Sequence, residues 1–208
     1  MKVGLTKVTQ SIQLRKTRLW EKDSSHKFAN GESPLISALF SAEQMEQHGK
    51  TLAGLHVLDT KGKLYPQLLS RLSENEAILL EVYDIVSEAV KDKQQITPAA
   101  EWLLDNFYLI EEQIRTGRRH LPKGYSKELP RLLNGSSAQL PRVYDIAKEI
   151  ISHGEAHVDP VGLRRFVTAY QSVTTLKLGE LWAIPIMLRL ALIENLRRVA
   201  VAFSRLWL

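Results

Sequence analysis

Apolar residues in this chain recur at helical spacing, and the two-residue alternation of strands does not stand out. Ser41-Ala-Glu-Gln44 reads as a capping box, with Phe40 and Met45 spaced as a hydrophobic staple, and predicts a helix reaching about residue 55. Ser73-Glu-Asn-Glu76 reads as a second box, opening a helix whose stripe is Leu72, Leu79, Tyr83, Val86 and Val90. Thr97-Pro98 supplies an N-cap and a proline at the first helical position. The helix after it carries Leu103, Phe107, Ile110 and Ile114 on one side. Its acids lie early and its bases late, which suits the helix dipole, and Glu111 can pair with Arg115.

Gly124, Pro130 and Asn134-Gly135-Ser-Ser137 mark a turn-rich connection. Residues 141–153 read as a helix stopped by Gly154, and Asp159-Pro160 opens another to about residue 172. The last helix starts near Leu178. Leu178, Leu181, Pro185, Leu188, Leu192 and Val199 mark its expected inner face, yet Trp182, Ile184, Ile186, Leu190 and Ile193 make it apolar nearly all round. Such a helix is buried centrally. Six or seven helices joined by short loops give an all-α fold, a single irregular bundle over 34–208.

Composition adds little to the fold and removes some chemistry. Of 208 residues, 44% are hydrophobic and 25% charged, as in ordinary globular proteins. No cysteine is present, which excludes disulfides, thiolate nucleophiles and cysteine-ligated metals and fits a reducing compartment. The formal charge is +5, and residues 1–30 hold seven bases against Glu21 and Asp23, so the whole excess lies there. Residues 1–33 are therefore read as a flexible basic arm. Its charges are scattered, which disfavours a nucleic-acid role and leaves contact with an anionic membrane surface open.

Residues 1–30 lack the continuous apolar core of a secretory signal. The most apolar window, 176–196, is interrupted by Lys177, Glu180, Arg189 and Glu194. A charge at mid-bilayer costs about 3 kcal/mol, so a buried helix is expected rather than a transmembrane span. Glu180 and Arg189 should then pair with groups on neighbouring helices or face a partner, in either case in a structural role.

Candidate chemistry is sparse. His153 and His157 stand four apart, a spacing that holds metal when helical, but Gly154 and Asp159-Pro160 place a loop there. Arg115, Arg118, Arg119 and Lys123 form a cluster able to receive a phosphate or simply to complement a helix C-terminus. Glu101, Asp105, Glu111 and Glu112 read as a solvated face. No phosphate loop, nucleophile elbow or triad pattern occurs, so no catalytic residue and no cofactor is assigned, and an autonomous enzyme is not expected.

Several separated blocks resemble one family. Ile96-Thr-Pro-Ala-Ala-Glu-Trp-Leu-Leu-Asp-Asn-Phe-Tyr-Leu-Ile-Glu-Glu-Gln-Ile-Arg115 and His120-Leu-Pro-Lys-Gly-Tyr125 resemble the N-terminal region of cyclic β-1,2-glucan synthases. Pro141-Arg-Val-Tyr-Asp-Ile-Ala147, Val158-Asp-Pro160, Phe166-Val-Thr-Ala-Tyr-Gln171 and the run from Leu178 to Arg197 are similar in the same order. The resemblance covers roughly residues 36–200. It implies a bacterial inner-membrane glucosyltransferase using UDP-glucose, whose core carries acidic nucleotide-sugar motifs among membrane spans. Those motifs have no counterpart in this sequence, so no catalytic residue carries over. The expectation is a cytosolic helical segment that precedes such a core, occurring as a fragment, a truncated product or a small paralogue. It would act through a protein partner or the remainder of a synthase. Two other readings stay open: UDP-glucose binding at the Arg115–Lys123 cluster, and an anionic-surface role for the arm.

Overall fold

A computed structural model describes residues 33–35, 37–59, 67–121, 129–154 and 156–204. Among these, regular structure consists of six helices and one pair of two-residue strands. The helices are α1 (Ala42–Leu55), α2 (Gln67–Lys91), α3 (Pro98–His120), α4 (Arg142–His153), α5 (Pro160–Gln171) and α6 (Leu178–Ser204). The expected all-α bundle is what forms. The basic arm lies outside the described residues.

Most helix starts follow the sequence signals. Ser41 caps α1 as a full box: its hydroxyl accepts from the Gln44 amide, while Gln44 Oε1 accepts from the Ser41 amide at 2.8 Å. Thr97 caps α3 ahead of Pro98, and both Asp159-bonded amides, of Val161 and Gly162, open α5. The second predicted box is different. Helix α2 begins at Gln67, because buried Leu68 and Leu72 extend the apolar stripe upstream, and Ser73 therefore sits inside the helix. Its buried side is Leu68, Leu72, Asn75, Leu79, Val82, Val86 and Ala89, which leaves Val90 exposed.

Helix α6 is the axis of the fold. It contacts α2, α3 and α4, while α1 lies along α5. Its buried residues include Ala183, Ile184, Ile186, Met187, Leu190, Ala191 and Ile193, whereas Leu178 and Trp182 face outward, with Trp182 73% exposed. The inner face is thus rotated from the expected Leu178–Leu181–Pro185 line. Three neighbouring helices claim a broad arc of α6, and one stripe does not describe it. Complete burial of Leu79 and Val82 of α2 contributes about 1.5–3 kcal/mol each.

Two close approaches position the remaining parts. Gly49 is buried in α1, and a Cβ there would lie 3.1 Å from the Phe166 carbonyl of α5, so its lack of a side chain sets the α1–α5 distance. Strand β1 (Leu58–Asp59) pairs antiparallel with β2 (Arg131–Leu132), matching Leu58 to Leu132 and Asp59 to Arg131. Strands of two residues have no period to read, which is why the pairing is invisible in the sequence.

Candidate functional site

Glu180, Glu194 and Asn195 of α6 are buried, and each is answered by a group outside the helix. Arg142, at the start of α4, donates from Nε to Glu180 Oε1 at 2.6 Å and from Nη2 to Glu180 Oε2 at 2.7 Å. Arg142 also donates to the Thr175 carbonyl, and Glu180 accepts from the Lys177 amide at the α6 entrance. Further along the helix, Glu194 is fully buried and accepts two hydrogen bonds from Arg71 Nη2 at 2.9 Å, others from the Tyr144 hydroxyl and from Arg198. Burial pushes the Glu194 carboxyl up, but Arg71, Tyr144 and Arg198 outweigh it and hold it at about 2. Asn195 Oδ1 accepts from the Leu35 amide at 2.7 Å. As expected, Glu180 and Arg189 have neighbours as partners; Arg189 Nε donates to Gln113 Oε1 of α3 at 2.9 Å.

A second chain of polar groups crosses from α1 to α5. His56 Nε2 lies 3.1 Å from Asp145 Oδ2, and His56 Nδ1 lies 2.8 Å from the Tyr170 hydroxyl. Burial works against the charged form of Asp145, yet His56, Ser137 and Lys148 hold its carboxyl below the ordinary value. An ionised Asp145 makes Nε2–H the donor, so in the neutral ring Nδ1 accepts from the Tyr170 hydroxyl. Hydroxyl, imidazole and carboxylate in series can activate a nucleophile. Here the Tyr170 residue has no exposed surface, and burial raises its pKa. The chain of bonds ties α1, α4 and α5 together.

A third cluster is partly open to solvent. Glu149 and His153 are four apart on α4, which places them on one face, and His48 of α1 approaches the same spot. His48 Nε2 is 2.8 Å and His153 Nε2 3.5 Å from Glu149 Oε2. The His153 ring stacks on Phe40, with centroids 3.9 Å apart and planes 8° from parallel, and its Nδ1 donates to the Ala38 carbonyl at 2.8 Å. His153 and Phe40 also line a cavity of about 240 Å³ together with Met45, His157, Asp159 and Arg165.

Several residues singled out in the sequence fall elsewhere. His153 and His157 line this cavity together, but the ligand-type cluster joins His153 to His48 and Glu149. His48 carries no local motif; only the folding of α1 beside α4 brings it in. Arg115, Arg118 and Arg119 are exposed on α3, and Lys123 lies outside the described residues. Arg118 is engaged by Glu76 and donates to Ser73 Oγ at 3.2 Å, so the two residues spelled like a second capping box are instead the acceptors for this arginine. Glu101, Asp105, Glu111 and Glu112 face solvent.

The outer side of α3 and α6 forms an apolar groove of about 380 Å³, lined by Trp102, Leu109, Pro185, Leu188, Leu192 and Leu196 among others. Trp102 is 51% exposed there. Among the described residues no helix is long and apolar enough to cross a membrane.

Against curated proteins, 169 residues align with the cyclic β-(1,2)-glucan synthase NdvB of Rhizobium meliloti at 37% identity. This chain is related to a segment of a cyclic β-(1,2)-glucan synthase. The alignment covers 81% of this chain but 6% of the synthase, so the relationship concerns a short stretch of a much larger polypeptide. No family model matches the sequence. The aligned stretch amounts to most of this chain.

Proposed function

We propose that this helical body is a non-catalytic accessory segment of a cyclic β-1,2-glucan synthase, the cytosolic N-terminal part that supports the glucosyltransferase core through protein contacts. The observation that carries the reading is the relation of 81% of the chain to only 6% of a synthase. A segment that small, built as a helical body, is suited to support a catalytic core encoded elsewhere. Its interior agrees with that role: the buried carboxylates of Glu180 and Glu194 are each held by an arginine of another helix, which ties the helices together.

The α3–α6 groove is the contact surface, and its occupant is another segment of the synthase polypeptide, since most of the relative's length lies beyond the aligned part. An apolar trough with an exposed tryptophan fits an apolar helix or loop of that polypeptide. Two measurements test the reading. The purified 208-residue chain releases no UDP from UDP-glucose, and a synthase lacking the corresponding segment loses glucan synthesis while keeping its expression. Release of UDP by the isolated chain, or full synthesis by the deleted enzyme, overturns it.

A further inference from the structure

We propose that His48, Glu149 and His153 form a binding site for one divalent transition ion with the donor preference and size of zinc. The proposal is independent of the accessory role, because it concerns only what these three side chains hold.

Donor chemistry comes first. Two imidazoles and a carboxylate suit zinc and its first-row neighbours, whereas magnesium and calcium demand oxygen-rich shells. The three ligand atoms lie within 4.8 Å of one another. A tetrahedral ion with bonds of 2.0–2.1 Å separates its ligands by roughly 3.3 Å. The His153–Glu149 separation of 3.5 Å already matches, the His48–Glu149 contact of 2.8 Å needs to open by about half an ångström, and the two imidazole nitrogens, within 4.8 Å of each other, need to draw together.

The protonation pattern points the same way. His153 donates through Nδ1 to the Ala38 carbonyl, so in the neutral ring Nε2 carries a lone pair. That lone pair stands 3.5 Å from a carboxylate oxygen that already accepts from His48. A cation between the two acceptors, a proton on His153 Nε2 or a metal ion, satisfies both. On binding, the ion takes the Nε2 lone pairs of both rings; the His48 Nε2 proton leaves to solvent and a proton is taken up at Nδ1. The carbonyl on His153 Nδ1 is the outer-shell partner that ligating histidines use, and the Phe40 stack holds the ring plane.

Access is adequate without the site being loose. The side chains of His48, Glu149 and His153 are 23%, 27% and 11% exposed, so an ion can enter and keep a water as fourth ligand. Both elements are helices, and the Gly49–Phe166 approach fixes the position of the turn carrying His48.

The test uses the full chain after treatment with chelator. Calorimetric titration with zinc should show one ion per chain, and His48→Gln, Glu149→Gln or His153→Gln should each weaken binding at least about tenfold. His157→Gln should bind as the parent does, which separates this site from the sequence-adjacent pair. Should a variant fail to fold by circular dichroism, the parent protein still decides: nitrogen-15 spectra of the histidine rings should show zinc moving Nε2 of His48 and His153 but not of His157. Absence of saturable zinc binding, binding unaffected by all three substitutions, or ring shifts confined to other histidines overturns the proposal.

Discussion

Arg142 and Glu180 meet through two parallel hydrogen bonds of 2.6 and 2.7 Å, with side chains only 3% and 1% exposed. They join the first turn of α4 to the first turn of α6. A guanidinium fork on a carboxylate fixes direction as well as distance, so this one contact sets how two helices start relative to each other. The arginine is answered further by the Thr175 carbonyl, and the carboxylate by the Lys177 amide.

Removing one member leaves the other charged and buried. Glu180→Ala or Arg142→Ala should therefore cost about 3–5 kcal/mol, while a paired replacement, Arg142→Met with Glu180→Leu, should recover most of that loss. Urea denaturation of the singles and the double checks it. Equal destabilisation by the double and the singles shows that the pair supplies more than mutual charge compensation.

Glu194 gives a pH dependence with a definite sign. Its folded value of about 2 lies below the ordinary 4.5, so its contribution is complete above pH 4.5 and is lost as pH falls toward 2. The difference corresponds to on the order of 3 kcal/mol. Stability curves of the parent and of Glu194→Gln should converge as the solution is acidified through that window. Parallel curves from neutral pH to pH 2 contradict the assignment.

The two glycines of α1 should respond oppositely to substitution. A methyl group added at Gly54 would meet nothing within 4 Å, so Gly54→Ala should raise stability by up to about 1 kcal/mol through helix propensity. A Cβ at Gly49 would lie 3.1 Å from the Phe166 carbonyl, and Gly49→Val should lose about 1–3 kcal/mol by forcing α1 off α5. Melting temperatures report both. The Gly49 variant should also disturb His48, and zinc binding with it.

Much of the fold is legible along the chain because caps and stripes are local. Ser41, Thr97 and Asp159 each announce a helix by a hydrogen bond made within three residues. The all-α class and the pairing of Glu180 follow from the same reasoning, since a charge inside an apolar helix requires a partner. What stays hidden depends on distant partners. Ser73 and Glu76 have the spelling of a cap, yet Leu68 and Leu72 find α6 to pack on, and the helix runs through them. The site shows the same division. Glu149 and His153 are neighbours by helical arithmetic, but His48 lies about a hundred residues away and joins only through the packing of α1.

Arg118 decides between two uses of the cluster at the end of α3. Its guanidinium is held by Glu76 and Ser73 of α2, which makes it a link between two helices. Both partners are partly exposed, at 43% and 27%, so solvent screens the pair. Arg118→Ala should cost less than about 1 kcal/mol, and Arg115→Ala or Arg119→Ala, on exposed positions, should change stability by no more than about 0.5 kcal/mol. An anion site that uses Arg118 competes for the donors that Glu76 already occupies. Titration of the chain with UDP-glucose should consequently give the same featureless heats for the parent and for a variant with all three arginines replaced. A saturable isotherm in the parent that vanishes in the triple variant restores nucleotide-sugar binding, and it means that Glu76 releases Arg118 when a phosphate arrives.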